Sequence, residues 1–350
     1  MNKSVSLTLT DISKRYGQVT ALKPMNLEVA PGELIALLGP SGCGKTTTLR
    51  IISGFETPDT GSVRIGTRDV TGLSPNMRDI GLMFQNYALF PHMTVAENVG
   101  FGLKMRGIAK AEAARRIETA LDMVRMRNFG DRAISQLSGG QQQRIALARS
   151  LVVNPSVLLL DEPLGALDKK LREEMQFELR QLQRSFCITS ILVTHDQEEA
   201  LTMSDRVAVM GAGEIRQIGT PQDIYARPNS IFVSEFLGTS NIFSGKLRSG
   251  FFVADGVPAL RIACTGEPDG PSSLVFRPEK LQITAAGKGQ INARVRDVVF
   301  RGSQYTYELT VDGHEKPVIV YSQQSFDLPG DGVVGLDWSD APVLLREVAE

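Results

Sequence analysis

Two adjacent acidic residues, Asp161 and Glu162, directly follow a short apolar run and could act together in metal-assisted phosphate chemistry. The run, residues 157–160, predicts a short buried strand, and open α/β sheets place their reactive groups at the carboxyl ends of such strands. Asp161 would hold Mg²⁺ through its water shell, and Glu162 would orient or deprotonate a water that attacks a γ-phosphate. Taken alone, the pattern also fits a strand followed by two solvated acids.

A glycine-rich loop supplies the phosphate-binding half of such a site. Residues 39–46 match the pattern G-x-x-x-x-G-K-[ST] in full. The apolar run 34–38 before the loop predicts a buried parallel strand, and residues 47–52 after it contain no helix breaker. Lys45 supplies a point charge, and the Thr46 hydroxyl can ligate Mg²⁺. The candidate ATP-binding residues of this loop are Gly39, Pro40, Ser41, Gly42, Cys43, Gly44, Lys45, Thr46 and Thr47.

A third segment, residues 137–144, reads Leu-Ser-Gly-Gly-Gln-Gln-Gln-Arg and predicts the start of a helix. Ser138 at the N-cap and Gln141 three residues later fit a capping box. Gly139 and Gly140 leave the backbone N–H groups of the first turn bare, and the positive end of a helix favours an anion there. By itself the segment also fits an ordinary capped helix. A further predicted strand, residues 190–194, ends on His195, so three strand ends carry groups able to act on phosphate.

The order of these motifs along residues 5–237 resembles the nucleotide-binding subunits of ABC transporters. The resemblance implies an α/β P-loop ATPase domain with a helical subdomain, ATP and Mg²⁺ as cofactors, and ATP hydrolysis. By position, Gln85 resembles the loop glutamine that touches Mg²⁺ and the γ-phosphate, and His195 the histidine on the γ-phosphate. Asp168 resembles the aspartate that couples two subunits. Tyr16 resembles the aromatic that stacks on adenine, although a surface tyrosine at a turn is the alternative.

The same resemblance implies a homodimer. Each chain contains one phosphate loop and one signature segment (Ser138, Gly139, Gly140 and Gln141). In the family the signature lies too far from the loop of its own chain, so two chains pack head to tail and Ser138 and Gly140 cap the ATP of the partner. ATP then joins the subunits, and its hydrolysis releases them.

The chain is predicted to contain two domains. Residues 1–238 form the nucleotide-binding domain, with a helical subdomain at about 87–155 that includes a helical stretch at 109–133. Residues 239–350 change to short β segments, among them 273–276, 291–299, 305–311 and 318–321. This part resembles the small OB-like (TOBE) regulatory domain of importer ATPases, with the turn Phe276-Arg277-Pro278-Glu279. OB domains also bind oligonucleotides, but residues 241–350 contain 11 basic and 14 acidic residues, which disfavours nucleic acid.

Composition and resemblance together predict where the chain works. It has no apolar run of 18 residues, no apolar signal region at its start, and 38 basic against 39 acidic residues. The three cysteines lack metal-ligand spacing and suggest free thiols. The resemblance implies a peripheral protein on the cytoplasmic face of the inner (plasma) membrane. Its partners would be two membrane-spanning permease subunits and a periplasmic or extracellular solute-binding protein.

The loop from Gln85 to Val95 is apolar for a loop, which favours a docking role for the permease, with core packing as the alternative. Its candidate contact residues are Tyr87, Leu89, Phe90 and Met93.

The transported solute is predicted from weaker resemblance. Residues 164–172, 218–228 and 236–243 resemble importers of spermidine and putrescine, whereas iron(III), aminoethylphosphonate and sugar importers share most of these residues. Two other classes stay open: a soluble ABC protein acting on ribosomes or DNA, and an ATP-binding regulator that does not hydrolyse. Proteins of the first class usually carry two cassettes or long coiled coils, and this sequence shows neither. The presence of Glu162 and His195 argues against the second class.

Overall fold

The computed structural model describes residues 4–165 and 168–346 and divides the chain into two compact units, Met1–Gln222 and Asp223–Glu350. The predicted boundary after Gly238 lies further along the chain and stays a prediction. Ala166 and Leu167, which belong to the segment that resembles polyamine importers, lie outside the described residues. Within the described residues, no helix combines the length and the hydropathy needed to cross a membrane.

The first unit contains ten strands and six helices among its described residues. The strands are β1 (Leu7–Tyr16), β2 (Val19–Val29), β3 (Leu34–Leu38), β4 (Thr60–Ile65), β5 (Arg68–Asp69), β6 (Ile80–Met83), β7 (Val157–Asp161), β8 (Thr189–Thr194), β9 (Arg206–Gly211) and β10 (Glu214–Gly219). The helices are α1 (Lys45–Ser53), α2 (Val95–Met105), α3 (Lys110–Met123), α4 (Gly139–Leu151), α5 (Lys169–Phe186) and α6 (Gln197–Met203).

A six-stranded sheet in the order β10-β9-β3-β8-β7-β6 forms the centre of this unit. The strands from β9 to β6 run parallel, and β10 is antiparallel to β9. Every residue of β3 and β8 is buried, as expected of parallel strands covered on both faces. A four-stranded antiparallel sheet, β2-β1-β4-β5, shares the hydrophobic core with α1. The predicted strands at 34–38, 157–160 and 190–194 are therefore confirmed.

The helix predictions are confirmed at α1 and α4 and partly wrong at α3. Ser138 is the N-cap of α4 and forms the predicted capping box with Gln141. The stretch 109–133 is helical only to Met123, because Arg125 adopts a left-handed φ of 58° that an α-helix cannot continue through. Gly140 has a packing role that the sequence did not reveal, since a β-carbon there would lie 2.9 Å from Leu171 Cδ2 on α5.

The second unit is built mainly from antiparallel strands. The helix α7 (Pro221–Ala226) spans the boundary between the units, and α8 (Ile231–Phe236) follows. The strands are β11 (Asn241–Arg248), β12 (Phe251–Ala254), β13 (Val257–Ala263), β14 (Gly270–Phe276), β15 (Leu281–Ala285), β16 (Ile291–Phe300), β17 (Tyr305–Thr310), β18 (Val318–Ser322), β19 (Val333–Trp338) and β20 (Val343–Arg346). They form two five-stranded sheets, β13-β12-β11-β14-β20 and β15-β19-β16-β17-β18, around one apolar core.

Candidate active site

Three neighbouring strands of the six-stranded sheet end at the same edge. β8 lies between β3 and β7, with Leu38 opposite Thr194 and Val193 opposite Asp161. Because these strands are parallel, the residues that follow them leave the sheet on one side. The phosphate loop, the acidic pair and His195 therefore emerge together, as their positions in the sequence predicted.

The phosphate loop lies tightly against its surroundings. Gly44, the N-cap of α1, has a left-handed φ of 107°, and a β-carbon there would lie 2.8 Å from the Ala21 carbonyl oxygen. At Gly39 a β-carbon would lie 2.4 Å from the Met210 carbonyl oxygen. Glycine is therefore required at both positions by sterics. The Lys45 ammonium is buried and donates to the carbonyls of Gly39 at 2.6 Å and Pro40 at 3.0 Å, which holds its charge inside the loop.

Glu162 is the centre of a hydrogen-bonded cluster. Gln85 Nε2 donates to Glu162 Oε2 at 2.8 Å, and His195 Nδ1 lies 3.0 Å from Glu162 Oε1. The backbone of Glu162 adopts a left-handed φ of 45°, and its N–H donates to the Val193 carbonyl at 2.8 Å. Such strained backbone persists where the surroundings over-determine it, commonly at functional sites. Gln85 and His195, which lie 110 positions apart in the sequence, thus contact the same carboxylate of Glu162.

The electrostatics of Asp161 differ from those of an ordinary surface carboxylate. Burial raises the pKa of Asp161, and the neighbouring charge of Glu162 raises it further. Lys45 and Arg50 act in the opposite direction. A divalent cation beside Asp161 would lower this pKa and stabilise the ionised form, because it supplies the charge that burial withholds.

Tyr16, the candidate adenine-stacking residue, lies at the end of β1 with 44% of its surface exposed. Its hydroxyl donates to Glu56 Oε2 at 3.0 Å, just beyond the end of α1. Lys14 forms an ion pair with Glu56 at 2.8 Å and lies 5.5 Å from the centre of the Tyr16 ring. The ring is thus anchored close to the helix that follows the phosphate loop.

The signature residues and Asp168 do not join the Glu162 cluster. Ser138 and Gln141 bond to each other across the first turn of α4, while Ser138 and Gly139 are exposed. Asp168 is exposed and caps α5 by accepting from the Leu171 backbone N–H at 3.0 Å. Within the part of the chain that the structure describes, no hydrogen bond or ion pair joins residues 138–141 to the phosphate loop.

The segment after Gln85 packs partly inside its own unit. Tyr87 is only 6% exposed, as the core-packing alternative predicts, whereas Leu89, Phe90 and Met93 are half-buried. Arg149 of α4 donates to the carbonyls of Tyr87 and Ala88, each at 2.6 Å. Arg149 is not among the site residues predicted from the sequence. The one feature that could have indicated it is its position as a cation among the small and apolar residues of the last turns of α4.

Comparisons with known proteins match both units. Residues 22–165 match the family model described as ABC transporter, and residues 274–345 match the TOBE domain. The spermidine/putrescine import ATP-binding protein PotA of Thermobifida fusca is 49% identical over 345 residues, covering 92% of this chain and 87% of that protein. The Fe(3+) ions import ATP-binding protein FbpC of Photobacterium profundum is 44% identical over 321 residues, covering 91% of each.

A solved structure agrees with this family assignment. The dimeric post-hydrolysis state of the ATP-binding cassette MJ0796, bound to ADP and Pi, has a TM-score of 0.54 at 32% identity, covering 61% of this chain and 98% of that chain.

The parallel sheet, the phosphate loop and the carboxylates at the strand ends define a nucleotide-binding ATPase of the phosphate-loop class. The chain belongs to the ATP-binding proteins of ABC transporters and carries a C-terminal TOBE domain. The predicted fold, an ABC ATPase domain followed by a small all-β OB-like domain, is confirmed, and so is the predicted ATPase class.

Proposed function

We propose that this chain hydrolyses ATP to drive an importer of polyamines such as spermidine and putrescine. The observation that carries the enzymatic part is the carboxylate of Glu162, which Gln85 and His195 contact at the sheet edge where the phosphate loop also begins. A carboxylate held at two points is pre-oriented for one proton transfer, which is what a general base in phosphoryl transfer needs.

Each residue of the site has a proposed role. Lys45 exchanges its loop carbonyls for the β- and γ-phosphate oxygens, and the N–H groups of residues 39–47 bind the phosphates. Glu162 accepts the proton of the attacking water. His195, which is 62% exposed in its side chain, reaches the γ-phosphate from the next strand end. Tyr16 stacks on adenine, with the adjacent Lys14–Glu56 pair holding it in place.

The residues of the site fit Mg²⁺, which prefers oxygen ligands and keeps several waters. The Thr46 side chain is exposed, and the Gln85 amide nitrogen faces Glu162, which leaves the amide oxygen for the metal. Burial raises the pKa of the half-buried Asp161, and a divalent cation beside it would favour the ionised form. The ion would neutralise charge on the β- and γ-phosphates, with Thr46 and Gln85 as direct ligands and Asp161 acting through a water.

We further propose that the chain functions as a homodimer with the signature acting on the partner's nucleotide. Ser138 and Gly139 are exposed at the N-terminus of α4, and the positive end of that helix favours an anion there. Among the described residues, the hydrogen bonds of Ser138 and Gln141 join them to each other. Asp168, exposed at the start of α5, would couple the two subunits. The similar ATP-binding cassette MJ0796 is dimeric in its structure with ADP and Pi.

The proposed solute, partners and location rest on the relatives. Proteins named for spermidine/putrescine import account for several relatives at 44–49% identity over most of this chain. Two membrane-spanning permease subunits and a solute-binding protein outside the membrane would complete the importer, with this chain on the cytoplasmic face. Nucleic acid is not among the proposed partners. Iron(III) is the second candidate solute, because proteins named for Fe(3+) import reach 44% identity.

Uptake in a host that lacks this chain tests the proposal. The host is complemented with the wild-type chain or with Glu162→Gln, and uptake of labelled putrescine, spermidine and iron(III) is measured. We expect polyamine uptake with the wild type alone. Uptake of iron(III) without uptake of polyamines would make iron(III) the proposed solute and leave the ATPase role unchanged. Equal uptake with the wild-type chain and with Glu162→Gln would overturn the proposed role of Glu162.

A further inference from the structure

The segment between Gln85 and α2 is held by the helices that surround it. Asn98 of α2, which is fully buried, accepts from the Phe90 N–H at 2.8 Å and donates to the Phe90 carbonyl at 3.1 Å. The rings of Phe90 and Phe101 lie 4.6 Å apart. At its other end, Gln85 bonds to Glu162, which follows a strand of the sheet. The segment therefore links the helices to the reactive carboxylate.

Two consecutive residues of this segment adopt a conformation that is costly for side chains with a β-carbon. Tyr87 has a φ of 61° and Ala88 a φ of 46°. Among the described residues, the buried Tyr87 hydroxyl has no hydrogen-bond partner, which adds a desolvation cost. Such a segment keeps its shape only when external contacts hold it, so it changes conformation readily when those contacts shift.

Arg149 provides the contacts at these two strained residues. Its Nη1 donates to the Ala88 carbonyl and its Nη2 to the Tyr87 carbonyl, both at 2.6 Å, and the guanidinium lies 5.6 Å from the centre of the Phe90 ring. A planar guanidinium can satisfy two carbonyls at once, which an ammonium cannot do with the same geometry. Burial lowers the pKa of the Arg149 guanidinium.

Arg149 lies ten residues after Gly139 on the same helix, α4, whose first turn carries the signature. A rigid helix moves as one body, so a displacement at Ser138 reaches Arg149 as well. We propose that Arg149 is a positioning residue that transmits the position of the signature helix to Gln85, through the carbonyls of Tyr87 and Ala88. When the signature seats on a nucleotide, Arg149 sets the segment so that Gln85 holds Glu162 in place. This inference rests on the proposed role of Gln85.

A double-mutant cycle in the full-length chain tests the inference. The catalytic constant kcat and the KM for ATP are measured for Arg149→Met, Gln85→Ala and the double variant. We expect Arg149→Met to lower kcat about tenfold with KM changed less than twofold, because Arg149 contacts no residue of the phosphate loop. The double variant should lose no more than Gln85→Ala alone. Losses that multiply would overturn the proposal, since they would show that Arg149 does not act through Gln85.

Arg277→Met is the matched control, because Arg277 also donates to two backbone carbonyls beside an aromatic ring but lies in the second unit. It should leave kcat unchanged, and an equal loss of kcat there would reduce the Arg149 effect to general destabilisation and overturn the proposal. Arg149→Lys keeps the charge but places all its donors on one nitrogen, so it should give an intermediate kcat; full wild-type activity would contradict the need for two bonds.

Amide hydrogen exchange keeps the test decisive if turnover is low. In Arg149→Met the amides of residues 84–90 should exchange at least about tenfold faster while β3 and β8 stay protected. If Gln85→Ala leaves turnover intact, the proposed role of Gln85 fails, and the link to Glu162 with it, while faster local exchange would still show that Arg149 holds the segment. Unchanged exchange at residues 84–90 would overturn the clamp itself.

Discussion

The two units of this chain use the same chemistry, an arginine that donates to backbone carbonyls beside an aromatic ring, for different ends. In the second unit Arg277 donates to the carbonyls of Ser234 and Tyr225, each at 3.0 Å, and lies 4.1 Å from the centre of the Tyr225 ring. It thereby fastens the helices α7 and α8 to the strands. Arg149 instead holds a strained segment that follows Gln85, whose side chain donates to Glu162. The two arginines therefore differ in the segment that each one holds, and only the segment held by Arg149 is joined to a residue of the candidate active site.

The sheets of the two units differ in a related way. The parallel strands of the first unit bring the phosphate loop, Asp161 and His195 to one edge, because parallel neighbours all end on the same side. The strands of the second unit pair antiparallel throughout the described residues, so their ends alternate between two edges. Catalysis is therefore expected to depend on the first unit alone.

The largest effect is expected from Glu162→Gln, which tests whether the reactive carboxylate of the first unit is the base. The substitution keeps the shape and removes the carboxylate, so we expect ATP turnover to fall about 10²- to 10⁴-fold, the usual contribution of a general base. ATP-dependent dimers should persist, as gel filtration with ATP would show, because hydrolysis no longer separates them. Glu112→Gln, which alters a salt-bridged acid on α3, is the control and should turn over normally. Wild-type turnover in Glu162→Gln would mean that another group is the base.

The next largest effect is expected from Ser138→Arg. A bulky cation at the exposed N-cap of α4 blocks the anion-binding end of the helix, so turnover should fall about 100-fold. ATP binding should survive, because Lys45 and the phosphate loop belong to a separate site in the chain. Nucleotide binding by equilibrium dialysis alongside the hydrolysis rate distinguishes the two effects. If ATP binding is lost as well, the signature does not act from the partner chain.

Arg277→Met tests whether the arginine of the second unit stabilises the fold without affecting ATP turnover. It removes the hydrogen bonds that Arg277 donates to the Ser234 and Tyr225 carbonyls, so the free energy of unfolding of the second unit should fall by about 3 kcal/mol. ATP turnover should change less than twofold. Trp338, the only tryptophan of the chain, packs 5.0 Å from Phe276 in this unit, so its fluorescence in urea follows the second unit alone. An equal loss of turnover would mean that lower stability by itself reduces turnover.

The smallest predicted effect concerns Tyr225, whose hydroxyl donates to Glu279 Oε1 at 2.8 Å. Burial, and next the bond to Glu279, raise the pKa of Tyr225 from 10.0 to about 12. The unfolded chain therefore loses this proton at lower pH than the folded chain, so the stabilisation is complete below pH 10 and disappears as the pH rises towards 12.

Tyr225→Phe should cost about 1 kcal/mol at neutral pH and flatten this alkaline slope. Urea unfolding followed through Trp338 at several pH values between 9 and 12 measures both quantities. An unchanged slope in the variant would assign the alkaline loss to another group.

Local patterns were sufficient for most of the fold. Continuous apolar runs predicted β3, β7 and β8, because a strand buried on both faces needs no alternation. The capping box predicted the start of α4 from Ser138 and Gln141 alone. The end of α3 was missed because the left-handed residue Arg125 is neither glycine nor asparagine, so nothing in its type announces the stop.

The amino-acid sequence was sufficient to predict which residues can bind phosphate, which can accept a proton, and the order in which they occur. These follow from residue type and short-range spacing, which act within a few positions. Only the tertiary structure decided that Gln85 and His195 hold the same carboxylate of Glu162, that Gly140 makes room for Leu171, and that Arg149 clamps a strained segment. These contacts join residues distant in the chain, and their geometry depends on how helices and strands pack, which no local pattern encodes.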